Sequence, residues 1–337
     1  MYFLLIQKKI FLVLNINLLK KILNKFNGLL YSQEYLCLAR ESFTQPIHGY
    51  LTRNNTVIKD ITKLHAFVGY SPLIFAFASG SISGDEVIEI IFSHEIDDAT
   101  ELLPEKNCLA RLQMKKISQF TVPEGIIFIY EGVKGKHLFV NTFNQWITQI
   151  DNRLYNRKPG NVYLEKNLYK QVQIAYSFPR TISLISVSYN GEFNLFPTDL
   201  HGPVSEDHYL ISLRHEGKAC AQVEKAGQIV ISTVQSHAFK EVYALGKNHM
   251  QELRSKDQFK FNEGISEKLR LPLPFQVIEY RELELTGSYQ HGIHKILLFR
   301  MLNRANLSSE VHTLSHIHCS YGTWRLKHGL PGNYLIR

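Results

Sequence analysis

The sequence has few cysteines, no long apolar run after its first residues, and none of the short signatures that mark the common nucleotide-binding and hydrolytic enzymes. Four cysteines occur in 337 residues, Cys37, Cys108, Cys220 and Cys319, and no two stand in a Cys-x-x-Cys pair. That spacing argues against a disulfide scaffold or a zinc site and points to reduced, buried thiols in a cytoplasmic protein. No Gly-x-Gly-x-x-Gly follows a strand pattern, which argues against a Rossmann dinucleotide domain. The absence of a P-loop and of Gly-x-Ser-x-Gly argues against P-loop NTPases and ordinary serine hydrolases. The formal charge is +8, yet no dense Lys/Arg run follows residue 30. Nucleic-acid binding needs a concentrated basic face, so no nucleic-acid partner is expected. A diffuse positive charge suits small anionic ligands instead.

The first thirty residues carry the one stretch that invites a membrane reading. Lys8-Lys9 followed by Ile10–Leu14 resembles the charged and apolar regions of a signal peptide, but no small-residue cleavage site follows. Asn15, Asn17 and Lys20-Lys21 interrupt the apolar run well short of the roughly 20 residues a spanning helix needs. Leu18, Leu19, Ile22, Leu23 and Phe26 recur at helical spacing opposite Lys20, Lys21 and Lys25, with Gly28 as a C-cap. Residues 1–30 are therefore read as an amphipathic helix packed on the protein, and membrane contact is not expected.

What the chain has in quantity is aromatic and apolar residues, 17 Tyr and 20 Phe among them. Aromatics favour pleated surfaces, and 337 residues exceed the usual single domain, so two domains rich in β structure are expected. Arg53-Asn54-Asn55-Thr56 reads as a hairpin turn, and Leu73–Ala78 and Val87–Phe92 as buried strands. Lys134-Gly135-Lys136 is read as the lead into a strand at His137–Val140. Phe143, Trp146, Ile147, Ile150 and Leu154 share one helical face and predict a connecting helix. Arg157-Lys158-Pro159-Gly160 punctuates its exit, which places a boundary near residue 160. Residues 31–160 form a mixed α/β domain of unknown role and 161–337 a second domain. No internal repeat is visible.

The richest stretch is Ser186–Gly202. A β-rich run over 181–188 meets Tyr189-Asn190-Gly191, and Asn-Gly between two such runs is a strong hairpin signal because its turn needs φ > 0. The second run ends in Asn194-Leu195-Phe196-Pro197-Thr198-Asp199. Those short polar side chains and backbone groups suit a flat, hydrogen-bonding cofactor such as a flavin, and turn chemistry alone accounts for them equally well. Further on, His316-x-His318 puts two imidazoles on one strand face, without the carboxylate partner or His-Glu-x-x-His spacing of a metal site.

Seven pieces in order carry a resemblance: Phe178-Pro179-Arg180, the hairpin Asn190–Asn194, Tyr209–Arg214, Gln228–Val234, Asp257–Phe261, Leu271–Phe275 and Gly292–Leu298. From Val172 to about Tyr321 the chain resembles the flavin-reductase-like, FMN-binding split-barrel family. Two departures stand out: Phe196–Gly202 replaces a Ser/Thr-rich loop, and Gly292-Ile293-His294 replaces the common Gly-Asp-His. The resemblance implies an α+β protein with a C-terminal FMN-binding split β-barrel and an N-terminal mixed β-rich domain. It assigns Asn194, Phe196, Pro197, Thr198 and Asp199 to the FMN loop, Arg214 and Lys218 to the phosphate, and His294 to a catalytic position near flavin and nicotinamide. It implies an NAD(P)H:flavin oxidoreductase with FMN as cofactor and NADH or NADPH as hydride donor, working as a homodimer and passing electrons to a redox partner protein. A non-catalytic FMN electron carrier and a pyridoxamine-oxidase-like flavoprotein are the alternatives.

Overall fold

The computed structural model describes residues 34–39, 47–53, 56–63, 65–78, 86–93, 108–156, 161–310, 312–330 and 334–335, together with Ile22. The amphipathic helix expected over residues 1–30 lies otherwise outside the described residues. In the first half, β1 (Tyr35–Leu38) precedes β2 (His48–Arg53), β3 (Thr56–Asp60), β4 (Ala66–Tyr70), β5 (Leu73–Ala78), β6 (Val87–Ser93), β7 (Cys108–Val122) and β8 (Gly125–His137). Two helices follow, α1 (Thr142–Tyr155) and α2 (Asn167–Ala175). In the second half come β9 (Arg180–Thr181), β10 (Ser183–Tyr189), β11 (Glu192–Thr198), β12 (His201–Pro203), β13 (His208–Arg214), helix α3 (Lys218–Ala226) and β14 (Gln228–Val234). The chain then runs through α4 (Phe239–Ala244), β15 (Phe261–Ile265), β16 (Pro272–Pro274), β17 (Val277–His291), β18 (His294–Asn306), β19 (Ser315–His318), α5 (Cys319–Lys327) and β20 (Tyr334–Leu335).

Two seven-stranded antiparallel sheets dominate, ordered β3-β2-β6-β7-β8-β5-β4 and β11-β10-β14-β17-β18-β13-β12. Numbered within each sheet, both orders are second, first, fifth, sixth, seventh, fourth, third. The long hairpins match in detail, since β7 and β17 are each 15 residues and β8 and β18 each 13. Each hairpin has two unpaired residues, Ile117 and Val133 in one and Thr286 and Leu302 in the other. Ile117 and Thr286 are both tenth in their strand, and Val133 and Leu302 both ninth. A bulge bends and twists a strand locally, so bulges at the same positions give both sheets the same curvature. The chain therefore contains a structural repeat that sequence inspection did not reveal. A sheet needs only apolar faces, turn residues and bulges, and none of these requires like residues at like positions.

The halves pack through corresponding strands. Ala66, Val68, Ile74, Ala76, Ile127 and Ile129 of the first meet Val204, Leu210, Ile296 and Leu298 of the second in one apolar layer. Burying such a layer stabilises the junction by roughly 25 cal/mol for each Å² of apolar surface removed from water. A Cβ on Gly202 would lie 3.5 Å from that of Ala66, its register counterpart, so the two backbones come close here. The short sheet β20-β1-β19-β9 joins the chain's beginning to its end. The core under the first sheet draws on Tyr169, Val172 and Ile174 of α2, Ile317 of β19 and Tyr321 of α5, which come from beyond residue 160.

Several expectations change. Lys134-Gly135-Lys136 lies inside β8 and does not precede a strand at His137–Val140, because Gly135 admits α2: Gln171 stands 3.0 Å from where a Cβ would be. Helix α1 forms with Asn141 as its N-cap, the side-chain oxygen accepting from the Asn144 amide at 2.8 Å. Its apolar stripe is nevertheless not its buried face. Ile147, Thr148 and Asn152 are buried, whereas Phe143, Trp146 and Leu154 are exposed. Asn152 donates to the Leu164 carbonyl at 2.7 Å, so satisfying a buried backbone acceptor helps set the helix rotation.

Candidate functional site at the junction of the two sheets

The hairpin β10–β11 forms as its sequence directs, with Asn190 at φ 53° and Gly191 at φ 79°. Asn194–Thr198 continues as strand β11 rather than opening into a loop. Asn194 is fully buried, and its side-chain amide donates to the Gln222 Oε1 and the Asn248 carbonyl at 2.7 and 3.0 Å. Phe196 sits in the second half's core. The Pro197 carbonyl is within 2.7 Å of the His249 Nε2, which donates to it, and the Thr198 Oγ1 accepts from the Leu200 amide at 3.3 Å. Of the five residues assigned to the flavin loop, Asn194 and Phe196 thus face inward, and Asp199 carries the charge.

Asp199 is only partly exposed and anchors a polar chain. Its Oδ2 accepts from the Tyr176 hydroxyl at 3.0 Å and from the His316 Nδ1 at 2.7 Å. That proton on Nδ1 leaves the His316 Nε2 to accept from the Tyr243 hydroxyl. Burial opposes ionisation of Asp199, but the His316 and Tyr176 hydrogen bonds outweigh it and hold the carboxyl below its ordinary range. Tyr176 moves the other way: burial and the neighbouring Asp199 charge raise it well above a free phenol. His318, the other member of the pair on β19, is buried beside Tyr169 and Glu34. Among the described residues no group of three His, Cys, Asp or Glu is arranged to hold a metal ion.

Arg214 and His294 are register partners at the ends of β13 and β18. His294 is 1 % exposed, so its role depends on what touches it. The Tyr70 amide donates to its Nε2 at 3.3 Å, and its Nδ1 then donates to the Ser212 Oγ at 3.2 Å. Burial, reinforced by the Arg214 guanidinium, pushes its pKa down to about 3, so the imidazole is neutral. The neighbouring acid that Ile293 replaces is therefore not needed to orient this ring; Ser212 and a backbone amide of the first half do so. Tyr70 also stands edge-on to His294, ring centroids 4.6 Å apart.

The exposed Arg214 donates from Nε and Nη2 to the Tyr70 hydroxyl, at 3.0 and 2.6 Å. Among the described residues no carboxylate pairs with it, so its charge is held in place without being neutralised. Helix α3 begins close by: the Gly217 amide donates to the Arg214 carbonyl at 3.0 Å, and no side chain caps that end. A guanidinium beside the amide end of a helix is a donor set that fits a phosphate. Lys218 differs, since it pairs with Glu252 at 2.5 Å. It lines a cavity of about 460 Å³ with Tyr189, Gln222, Lys225 and Glu252, in which Arg214 takes no part. The structure thus brings Asp199, Arg214 and His294 to the junction and turns Lys218 elsewhere. Tyr70, Ser212, His249 and Tyr176 join them, and Tyr70 carries no local signal because its partners lie over 140 residues away in the chain.

No family model matches the sequence, and no curated protein is significantly similar to it. Solved structures of flavin reductases and FMN-binding proteins are similar to about 40–50 % of the chain. One is an FMN-binding protein from Thermus thermophilus with bound p-hydroxybenzaldehyde, 19 % identical, covering 39 % of this chain and 74 % of that one, with a TM-score of 0.35. Another is the NADH:FAD oxidoreductase SgcE6 of Streptomyces globisporus C-1027, 14 % identical, covering 48 % and 96 %, with a TM-score of 0.39. A third is BorF, the flavin reductase component of a bacterial two-component tryptophan halogenase, 16 % identical, covering 44 % and 98 %, with a TM-score of 0.37. No helix among the described residues is long and apolar enough to cross a membrane.

Proposed function

We propose that this chain is a flavin-binding oxidoreductase that holds FMN at the junction of its two halves and takes reducing equivalents from NADH or NADPH. The observation that carries this reading is Arg214, a cation clamped by a phenol and left without a carboxylate among the described residues. A guanidinium so presented suits the phosphate of a mononucleotide, and the Gly217 end of α3 adds amide donors beside it. Bound flavin would supply hydride acceptance, chemistry that no side chain can perform.

The chain's own residues bind, orient and exclude water. His294 stays neutral and fixed between Ser212 and Tyr70, so it offers a rigid edge rather than a titrating group. Asp199 remains ionised under the hold of His316 and Tyr176 and keeps the end of β11 in place. Hydride transfer between nicotinamide and flavin needs no protein acid or base, only alignment within reacting distance.

Titration of the purified protein with FMN, followed by flavin fluorescence, tests the reading, with anaerobic addition of NADH and NADPH as the second step. Saturable binding and bleaching of the flavin absorbance by at least one nicotinamide are expected. A hydrogen bond to a charged group contributes about 1.5–3 kcal/mol, so Arg214→Ala is expected to weaken FMN binding at least roughly tenfold at fixed salt. Unchanged affinity in that variant would return Arg214 to the solvated surface, and absence of binding to the wild type would reject the proposal.

A further inference from the structure

A site where two copies of a sheet meet can be supplied by two chains or by one. Here both copies are in one chain, with the same strand order, the same bulge positions and an apolar layer built from corresponding strands. Corresponding positions follow from register. Gly125 opens β8 as His294 opens β18, and Ala78 pairs with Ile127 as Ser212 pairs with Ile296. Where the second half has a hydroxyl and an imidazole, the first has a methyl and no side chain. The mirror position across the junction therefore lacks the groups that make this site, and a second equivalent site cannot form from those residues.

Each half's short hairpin meets the other's long one, His208 standing 3.3 Å from Glu124 on the far side; at this site the first half adds Tyr70. Its β4–β5 turn, Ser71-Pro72, lies against the β17–β18 turn: the Ile293 amide donates to the Ser71 carbonyl at 3.2 Å. A Cβ on Gly292 would fall 2.3 Å from the Pro72 Cδ. That docking sets Tyr70 beside both Arg214 and His294.

We propose that the chain supplies both sides of this site itself: the first half stands in the place of a second subunit, Tyr70 is the positioning residue that holds Arg214 toward an anionic ligand, and each chain carries one such site. The homodimer implied by the family resemblance is then unnecessary. The proposal rests on the flavin reading only for the identity of the ligand. The Tyr70 hydroxyl receives two donors from one guanidinium, which removes most of the freedom of a long, rotamer-rich side chain before any ligand arrives.

Light scattering gives the mass of the free protein, calorimetry with FMN gives stoichiometry, and a double-mutant cycle with Tyr70→Phe and Arg214→Ala gives the coupling. A mass near 39.0 kDa and one FMN per chain are expected. Tyr70→Phe should weaken FMN binding several-fold, while the double variant should bind no worse than Arg214→Ala alone, because the phenol acts through the guanidinium. Labelling of Arg214 by phenylglyoxal, read by mass spectrometry without any flavin, should be several-fold faster in Tyr70→Phe than in the wild type. An obligate dimer, two FMN per chain, additive losses in the cycle or unchanged labelling would each overturn the proposal. Failure of the wild type to bind FMN, with labelling still accelerated and the protein monomeric, would reject the flavin reading and leave the clamp standing.

Discussion

At the residue scale, the site depends on a few side chains whose partners fix both their direction and their charge. His294 shows how much a partner decides. Beside an apolar run, Ile296 to Phe299, an imidazole could be a satisfied core residue or a group that meets a ligand, and its sequence context permits both. In the fold it has no free nitrogen, since the Tyr70 amide and the Ser212 hydroxyl engage both. If it positions the nicotinamide side of the site, His294→Gln should retain FMN while slowing anaerobic flavin reduction on the order of tenfold or more, because small displacements of reacting groups cost large factors in rate. Stopped-flow absorbance of the FMN-loaded variant checks this, and an unchanged rate would leave His294 a purely structural residue. Asp199, Arg214 and His294 were singled out through the family resemblance; the fold brings them to one junction, and the burial of His294 was not legible because Tyr70, which covers it, lies far away in the chain. The inward placement of the Asn194 and Phe196 side chains was not legible, because an Asn and an aromatic beside a turn look the same in a core as in a ligand loop. Both are buried because β11 is covered on its two faces, Phe196 in one core and Leu195 in another.

At the element scale, turns and bulges place the site more than strands do. Hairpins at Arg53–Thr56 and Tyr189–Glu192 were readable from their Asn-rich or Asn-Gly turns, and the buried strands from their apolar runs. The long hairpins were harder, because Gly135 inside β8 resembles a turn until α2 is seen against it. Gly292 is the counterexample, a glycine that does make a turn, with φ 57° and no room for a side chain beside Ser71 and Pro72. Gly292→Ala is therefore expected to strain the backbone and push the two turns apart, costing about 1–3 kcal/mol. The midpoint of urea unfolding measures that cost. The same variant should lose FMN affinity, since Tyr70 moves with the β4–β5 turn. A variant that binds FMN as the wild type does would show that the turn contact does not govern the site. Arg180, just before β10, is another connector: it donates to the Ala175 carbonyl at the end of α2 and to the His65 Nε2, and lies over the Phe67 ring at 4.7 Å. No periodicity marks such a residue, because its partners come from both halves of the chain.

At the scale of the whole molecule, packing around the two sheets buries a set of histidines: His137 under α2, His201 beside Tyr209, and His65 and His294 against residues far off in the chain. Burial pushes His65 and His137 down to about 3 and His201 down to about 4, matching His294. Nearby guanidinium or ammonium groups add to burial: Arg180 at His65, Lys170 at His137, Arg281 at His201 and Arg214 at His294. An unfolded chain would protonate all four near pH 6.5. Below that value the unfolded state binds protons that the folded state refuses, so the folded state loses stability as pH falls from 6.5 toward 4. Each site contributes at most about 1.4 kcal/mol per pH unit across that window. His318 opposes the trend. Burial disfavours its charge, but Cys319 and Glu34 outweigh burial and raise it to about 9, so its contribution is fully present below pH 6.5 and fades as pH rises toward 9. Burial lowers His249 as well, so the acid side carries five histidines against one, and the unfolding midpoint is expected to fall steeply between pH 6.5 and 4.5 and only gently between 7 and 9. His137→Gln checks the assignment, because a side-chain amide can donate to the Gln173 Oε1 in place of the imidazole Nε2 without titrating. Urea unfolding of that variant across the same range should give a shallower acid limb than the wild type. Equal slopes would mean that His137 gains its proton in the folded state as readily as in the unfolded one.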